Sequence, residues 1–186
     1  MARAGLTDLR IRTARADDLP VLIDLLEQLR ERATPGVTWE RAPETTAAAT
    51  FAEILADERR VFLVAEADGG EVVGTADLVV VPNLTHAARP LAYVENVVVD
   101  REHRGRGIGA ALMAECEARA REAGAYKLQL LSNADRTDAH RFYEDLGFEQ
   151  SARGYRRYLS TGTGAPSFSE KNATARSNAR SESLGR

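Results

Sequence analysis

Cysteine, histidine and long apolar runs are scarce in this chain. A single cysteine, Cys116, excludes an intrachain disulfide framework and a zinc site built on cysteines. The histidines, His86, His103 and His140, are scattered without ligand spacing, so no metal site is read. No segment is long enough to cross a bilayer, and the opening residues MARAGLTDLRIRTAR lack the apolar stretch of a secretory leader. Lys and Arg number 25 against 28 Asp and Glu, a net charge of -3 that speaks against a dedicated nucleic-acid binder with a basic face. Six prolines and 14 glycines exclude a fibrous chain, and the 44% hydrophobic share excludes one disordered throughout. What remains is a single-domain cytoplasmic protein of 186 residues, with neither nucleic acid nor membrane as partner.

Composition divides the chain in two. Residues 160–186 are rich in Ser, Thr, Gly, Asn and Arg, with Phe168 and Leu184 as the only large apolar side chains, and read as a disordered tail. Residues 7–159 form the expected domain. Leu9, Ile11 and Thr13 alternate as a strand, and Leu19, Leu22, Ile23, Leu26 and Leu29 recur at helical spacing. Pro43 opens a second helix, and strands at 61–67 and 72–81 flank the hairpin signal Asp68-Gly69-Gly70. A buried strand is expected at 91–99, a helix at 107–123 ended by Gly124, a strand at 126–131 and a helix at 138–146 stopped by Gly147. Residues 148–151 and 155–159 close the domain as an expected hairpin. The order β-α-α-β-β-β-α-β-α-β-β argues for a mixed α/β sheet.

The most informative segment is Val97-Val98-Val99-Asp100-Arg101-Glu102-His103-Arg104-Gly105-Arg106-Gly107-Ile108-Gly109. A buried strand runs into a basic glycine-rich turn that becomes a helix N-terminus. Glycines permit the tight bend, and first-turn amides with the helix dipole make an anion site suited to a pyrophosphate. The run from Gly105 to Ala110 also fits a G-x-G-x-x-A dinucleotide fingerprint, but it falls past the midpoint, with no room for a doubly wound sheet. A P-loop is excluded because no Gly-Lys-Ser/Thr follows.

Arg104-Gly105-Arg106-Gly107-Ile108-Gly109 resembles the Arg/Gln-x-x-Gly-x-Gly/Ala signature of the GNAT superfamily of acyl-CoA-dependent N-acyltransferases. Glu95 to Asp100 resembles that family's fourth strand, and Asp138-Ala139-His140-Arg141-Phe142-Tyr143-Glu144-Asp145-Leu146-Gly147-Phe148 resembles its second motif. The resemblance implies a mixed, mostly antiparallel sheet flanked by about four helices, with two central strands splayed to admit acetyl-CoA. It further implies that Val97, Val98 and Val99 pair with the pantetheine arm and that Arg104, Gly105, Arg106, Gly107, Ile108, Gly109 and Ala110 hold the pyrophosphate. Asn133 would contact the cofactor beyond the fifth strand, and Tyr143 would sit beside the thioester sulfur.

Acyl transfer to an amine requires loss of the amine proton, a polarised carbonyl and a proton for the departing thiolate. Tyr143 matches the family's general acid, a phenol that could donate to the sulfur; the structural alternative is an amphipathic core tyrosine. Glu95 interrupts an apolar strand, and strict alternation would place Tyr93, Glu95, Val97 and Val99 on one face. A desolvated carboxylate there suits a base, direct or through water, while a cross-strand ion pair is the structural alternative. His140 shares a face with Tyr143 and reads as a packing histidine, and Cys116 as a core side chain rather than a nucleophile. The acceptor pocket is expected from Trp39 and its loop, Tyr93, Glu95 and the closing hairpin, where Arg153, Arg156 and Arg157 could meet an anion.

The expected activity is therefore transfer of an acetyl group to the primary amine of a small molecule, by direct transfer in a ternary complex. The alternatives are a non-catalytic acyl-CoA-binding module and a protein lysine or N-terminal acetyltransferase. The segment from Ser132 to Tyr143 also resembles the aminoalkylphosphonate N-acetyltransferases. Oligomeric state is not legible, and a homodimer stays open.

Overall fold

The computed structural model describes residues 9–30 and 41–156. Trp39, Arg157, the last residues of the expected domain and the expected tail lie outside the described residues. Five strands, β1 (Arg10–Thr13), β2 (Arg60–Glu66), β3 (Val72–Val81), β4 (Leu91–Val99) and β5 (Leu128–Leu130), lie side by side in chain order. The first three junctions are antiparallel, and β4 with β5 is parallel. Helices α1 (Leu19–Arg30) and α2 (Glu44–Ala56) precede β2, α3 (Thr85–Ala88) is a short turn, and α4 (Ile108–Glu122) and α5 (Thr137–Asp145) flank β5 in sequence.

Each face of the sheet buries its own apolar cluster, as period-two strands require. Leu63, Ala65, Ala76, Leu78, Ala92 and Val94 pack with Leu112, Met113 and Cys116 of α4. On the other face Phe62 and Val64 meet Leu22 of α1 and Phe51 of α2, with Phe51 edge-on to Phe62 at 5.8 Å. Gly124 and Gly147 end α4 and α5 at φ +73° and +86°, the left-handed closure that glycine favours.

The turn α3 departs from right-handed geometry. His86, Ala87 and Ala88 have φ of 52°, 58° and 59°, a run that costs non-glycine residues on the order of 1 kcal/mol each. His86 stacks on Tyr126 at 3.9 Å, and Arg89 donates to the carbonyls of Gly124 and Ala125, which holds the β3–β4 connection on the end of α4.

The first half of the expected closing hairpin does not form: among the described residues no strand occurs from 148 to 156, and 157–159 of its second half lie outside them. Phe148 is that half's only large apolar residue before Tyr155. It turns into the core beside Tyr143, at 5.9 Å between rings, instead of alternating along a ladder.

Candidate active site

The site grows out of two irregularities of β4. The first is on its β3 side, where Asp77 stands opposite Glu95 and Thr75 opposite Val98. Asn96 and Val97 thus share the space opposite Ala76, and Asn96 adopts φ +55°. This β-bulge inverts the alternation. Ala92 and Val94 face the α4 side before it, and Val97 and Val99 pack on that same side after it. The expectation that Tyr93, Glu95, Val97 and Val99 share a face is therefore corrected: Tyr93 and Glu95 point to the opposite side from Val97 and Val99.

The second irregularity is on the β5 side. Pairing with β5 runs only from Ala92 with Leu128 to Val94 with Leu130, while β4 continues on β3 to Val99. Asp100 donates its backbone N–H to the Val73 carbonyl at 2.8 Å, which sets the alternation of the antiparallel ladder. Val98 accordingly turns its backbone to β3, and Val97 and Val99 turn theirs to the free edge. Arg104 Nε takes the Val99 carbonyl at 2.9 Å, and its Nη2 reaches Gln28 at 3.3 Å, so Arg104 braces the turn against β4 and α1.

The glycines of that turn do two different jobs. Gly105 and Gly107 have φ of +73° and +82°. Nothing lies within 4 Å of the place a Gly107 Cβ would occupy, so conformation alone calls for glycine. Gly109 instead permits close approach, since its Cβ would stand 3.1 Å from Phe142. The Ala111 N–H is the first in α4 to close, on the Gly107 carbonyl at 3.0 Å, leaving the preceding first-turn amides without a helical partner. Those amides, with Arg106 beside them, suit a pyrophosphate.

Beyond β5, His140 shares a bond of 2.9 Å with the Asn133 carbonyl, and Arg156 donates to the Asn133 side chain. These contacts give His140 a structural task. A groove of about 1230 Å³ runs along β5 past Asn133, His140, Tyr143 and Arg156. Two buried polar atoms, Ser132 Oγ in its lining and Arg136 Nε, have no hydrogen-bond partner among the described residues. Their residue types did not signal this in the sequence, because burial of single atoms depends on the turn into α5.

Electrostatics separate the two candidate proton carriers. Glu95 is an exposed position of β4 rather than the enclosed carboxylate expected, and only partial desolvation pushes its carboxyl above the ordinary carboxylate range, opposed by Arg156, reinforced by Asp77 and opposed again by Arg60. Burial also pushes the Tyr143 phenol up, with Arg136 opposing and Glu95 adding to the shift. At neutral pH the phenol is thus protonated, and its hydroxyl makes no hydrogen bond among the described residues. The Cys116 thiol is enclosed and pushed up to about 12. No group of three metal-binding side chains occurs among the described residues, nor does any helix there have the length and apolarity to span a membrane.

The sequence model of the Acetyltransferase (GNAT) family matches residues 23–148. The chain belongs to that family. This GNAT chain is 31% identical over 155 residues to a glucosamine 6-phosphate N-acetyltransferase of Trypanosoma brucei brucei, covering 81% of itself and 96% of that protein. It is 43% identical over 82 residues to an aminoalkylphosphonate N-acetyltransferase of Salmonella typhimurium, covering 44% of itself and 53% of that protein. In three dimensions it is similar to an acetyltransferase of Trypanosoma brucei, with a TM-score of 0.69, 31% identity, and coverage of 82% and 100%. The GNAT chain is an acetyl-CoA-dependent N-acetyltransferase, with acetyl-CoA as cosubstrate. The split of β4 from β5 and the amides before α4 fit a long ligand with a pyrophosphate at one end.

Proposed function

We propose that this GNAT protein acetylates the primary amine of a small anionic molecule, with Glu95 as base and Tyr143 as acid. The observation that carries the reading is the pair of proton carriers at the bulge: a carboxylate with raised proton affinity on one face, and a protonated, unpartnered phenol packed on the other. Glu95, directly or through water, takes the amine proton. The amine lone pair attacks the thioester carbonyl carbon, the carbon–sulfur bond breaks, and Tyr143 protonates the departing thiolate. The backbone of Val97 and Val99 would align the pantetheine arm along the free edge of β4, with Val98 anchoring that edge to β3. The turn from Arg104 to Ala110 would hold the pyrophosphate, with Asn133 contacting the arm from the other side.

The charge of the acceptor rests on Arg156, which acts on Glu95 electrostatically, and on Arg153 beside it in the groove. An amine two to several bonds from a phosphate or phosphonate would place its nitrogen at Glu95 and its anion at these arginines. The relatives named for glucosamine 6-phosphate and for aminoalkylphosphonates have acceptors of that kind. The test is thiol release from acetyl-CoA across aminoalkylphosphonates, phosphorylated and free amino sugars, polyamines, amino acids and a lysine peptide. Release confined to the anionic small amines is expected. Release with the peptide alone would make the protein a protein acetyltransferase, and thermal stabilisation by acetyl-CoA without release would make it a binding module.

A further inference from the structure

Asp77 is the most enclosed charge in the described part of the molecule, with a relative exposure of 0% at the centre of β3. A carboxylate so placed needs full compensation. Arg60 of β2 supplies it from one side, with Nε on Oδ1 at 2.9 Å and Nη2 on Oδ2 at 2.5 Å. From the other side Asn96 Nδ2 donates to Oδ2 at 3.2 Å. Asn96 is the residue held at φ +55° in the bulge, and Asp77 is the register partner of Glu95. One buried carboxylate therefore touches the residue that makes the bulge and stands opposite the residue the bulge presents.

We infer that Asp77, clamped by Arg60, is a positioning residue that locks Asn96 in the bulge and thereby fixes the direction and charge environment of Glu95. This inference rests on the reading of Glu95 as the base. Without the lock, Asn96 is free to return to extended geometry. Regular alternation would then put Val97 on the same face as Glu95 and move the carboxylate out of line with the free edge. The charged groups that act on Glu95 are Arg156 from the segment after α5, and Asp77 and Arg60 from β3 and β2. Asp77 and Arg60 balance one another there, so neutralising Asp77 removes a negative neighbour and leaves Arg60 uncompensated. The sign follows: Glu95 then loses its proton more readily, and the acidic limb of the rate profile moves to lower pH.

The experiment compares the full chain with its Asp77→Asn, Asn96→Ala, Asn96→Gly and Glu95→Gln variants, measuring kcat across pH by thiol release from acetyl-CoA. Asp77→Asn is expected to lower kcat at least about tenfold and to displace the acidic limb downward, which a purely structural role would not do. Asn96→Ala, which loses the Asp77 contact and disfavours positive φ, is expected to fall as far. Asn96→Gly, which tolerates the backbone, should recover part of the rate. If Asp77→Asn does not fold, the two Asn96 variants carry the test. Wild-type kcat in Asn96→Ala, or an unmoved limb in soluble Asp77→Asn, overturns the inference while a dead Glu95→Gln leaves the base in place. A fully active Glu95→Gln overturns the base and this inference together.

Discussion

Gly109 and Phe142 meet where α4 approaches α5: a β-carbon on Gly109 would lie 3.1 Å from Phe142 Cζ and 3.7 Å from Val99 Cγ2. The glycine-rich turn and the Phe-Tyr motif, 33 positions apart in the chain, are thus one piece of packing. The helix carrying Tyr143 is seated directly on the first turn of α4, whose amides are the proposed pyrophosphate site. Gly109→Val should force the two apart, at about 1–3 kcal/mol of stability, and weaken acetyl-CoA binding. Gly107→Ala meets no neighbour but must hold φ +82°, and should cost roughly 1–2 kcal/mol. Urea denaturation and acetyl-CoA titration of both variants measure these effects.

Tyr143→Phe removes a hydroxyl that has no hydrogen-bond partner among the described residues. Stability and acetyl-CoA affinity should therefore be unchanged, while kcat falls on the order of a hundredfold. Equal turnover in the two proteins, at matched acetyl-CoA occupancy, would remove the acid from its role.

With Glu95 as the proposed base, its raised proton affinity should place the acidic limb of kcat/KM above the titration of an ordinary glutamate. Activity should rise through that limb as the carboxyl ionises. Glu95→Gln should flatten it and lower kcat/KM by about two orders of magnitude or more.

Asp18 governs acid stability rather than chemistry. Arg12 grips its carboxylate at 2.7 and 2.9 Å, and the Arg15 backbone N–H adds a bond at 2.6 Å, so the group titrates below the usual aspartate range. Stabilisation by a depressed carboxylate is complete above its unfolded pKa and is lost as pH falls through the folded one. Asp18→Asn should cost about 1–3 kcal/mol at neutral pH and flatten the stability curve in that acid window, read by urea midpoints.

Cys116, enclosed in the core with its thiol pushed up to about 12, should resist alkylation in the native protein at pH 8 and react on unfolding. Rapid labelling of the folded chain would contradict that burial.

Element type and order were legible because glycines punctuate the helices and because β3 and β4 are long apolar runs. Gly124 and Gly147 mark the ends of α4 and α5 within a residue or two. The turn into α4 was legible for the same reason. The bulge was not read, although Glu95 and Asn96 side by side between Val94 and Val97 break the period-two alternation; one backbone dihedral at Asn96 decides which way Val97 points. Nor was the role of Asp77 legible: a lone acid in Gly-Thr-Ala-Asp-Leu-Val looks like an edge residue until Arg60, 17 positions earlier, is seen to close on it. The strand expected at 148–151 does not form because Phe148 packs in the core rather than on a ladder.

The bulge also bears on how the two reactants are brought together. Glu95 and Val97 face opposite sides of β4, yet the groove that holds Asn133 and Tyr143 also holds Arg153 and Arg156. On the assignment proposed above, acceptor and thioester therefore share one groove, and whatever fills its arginine end is felt by its neighbour.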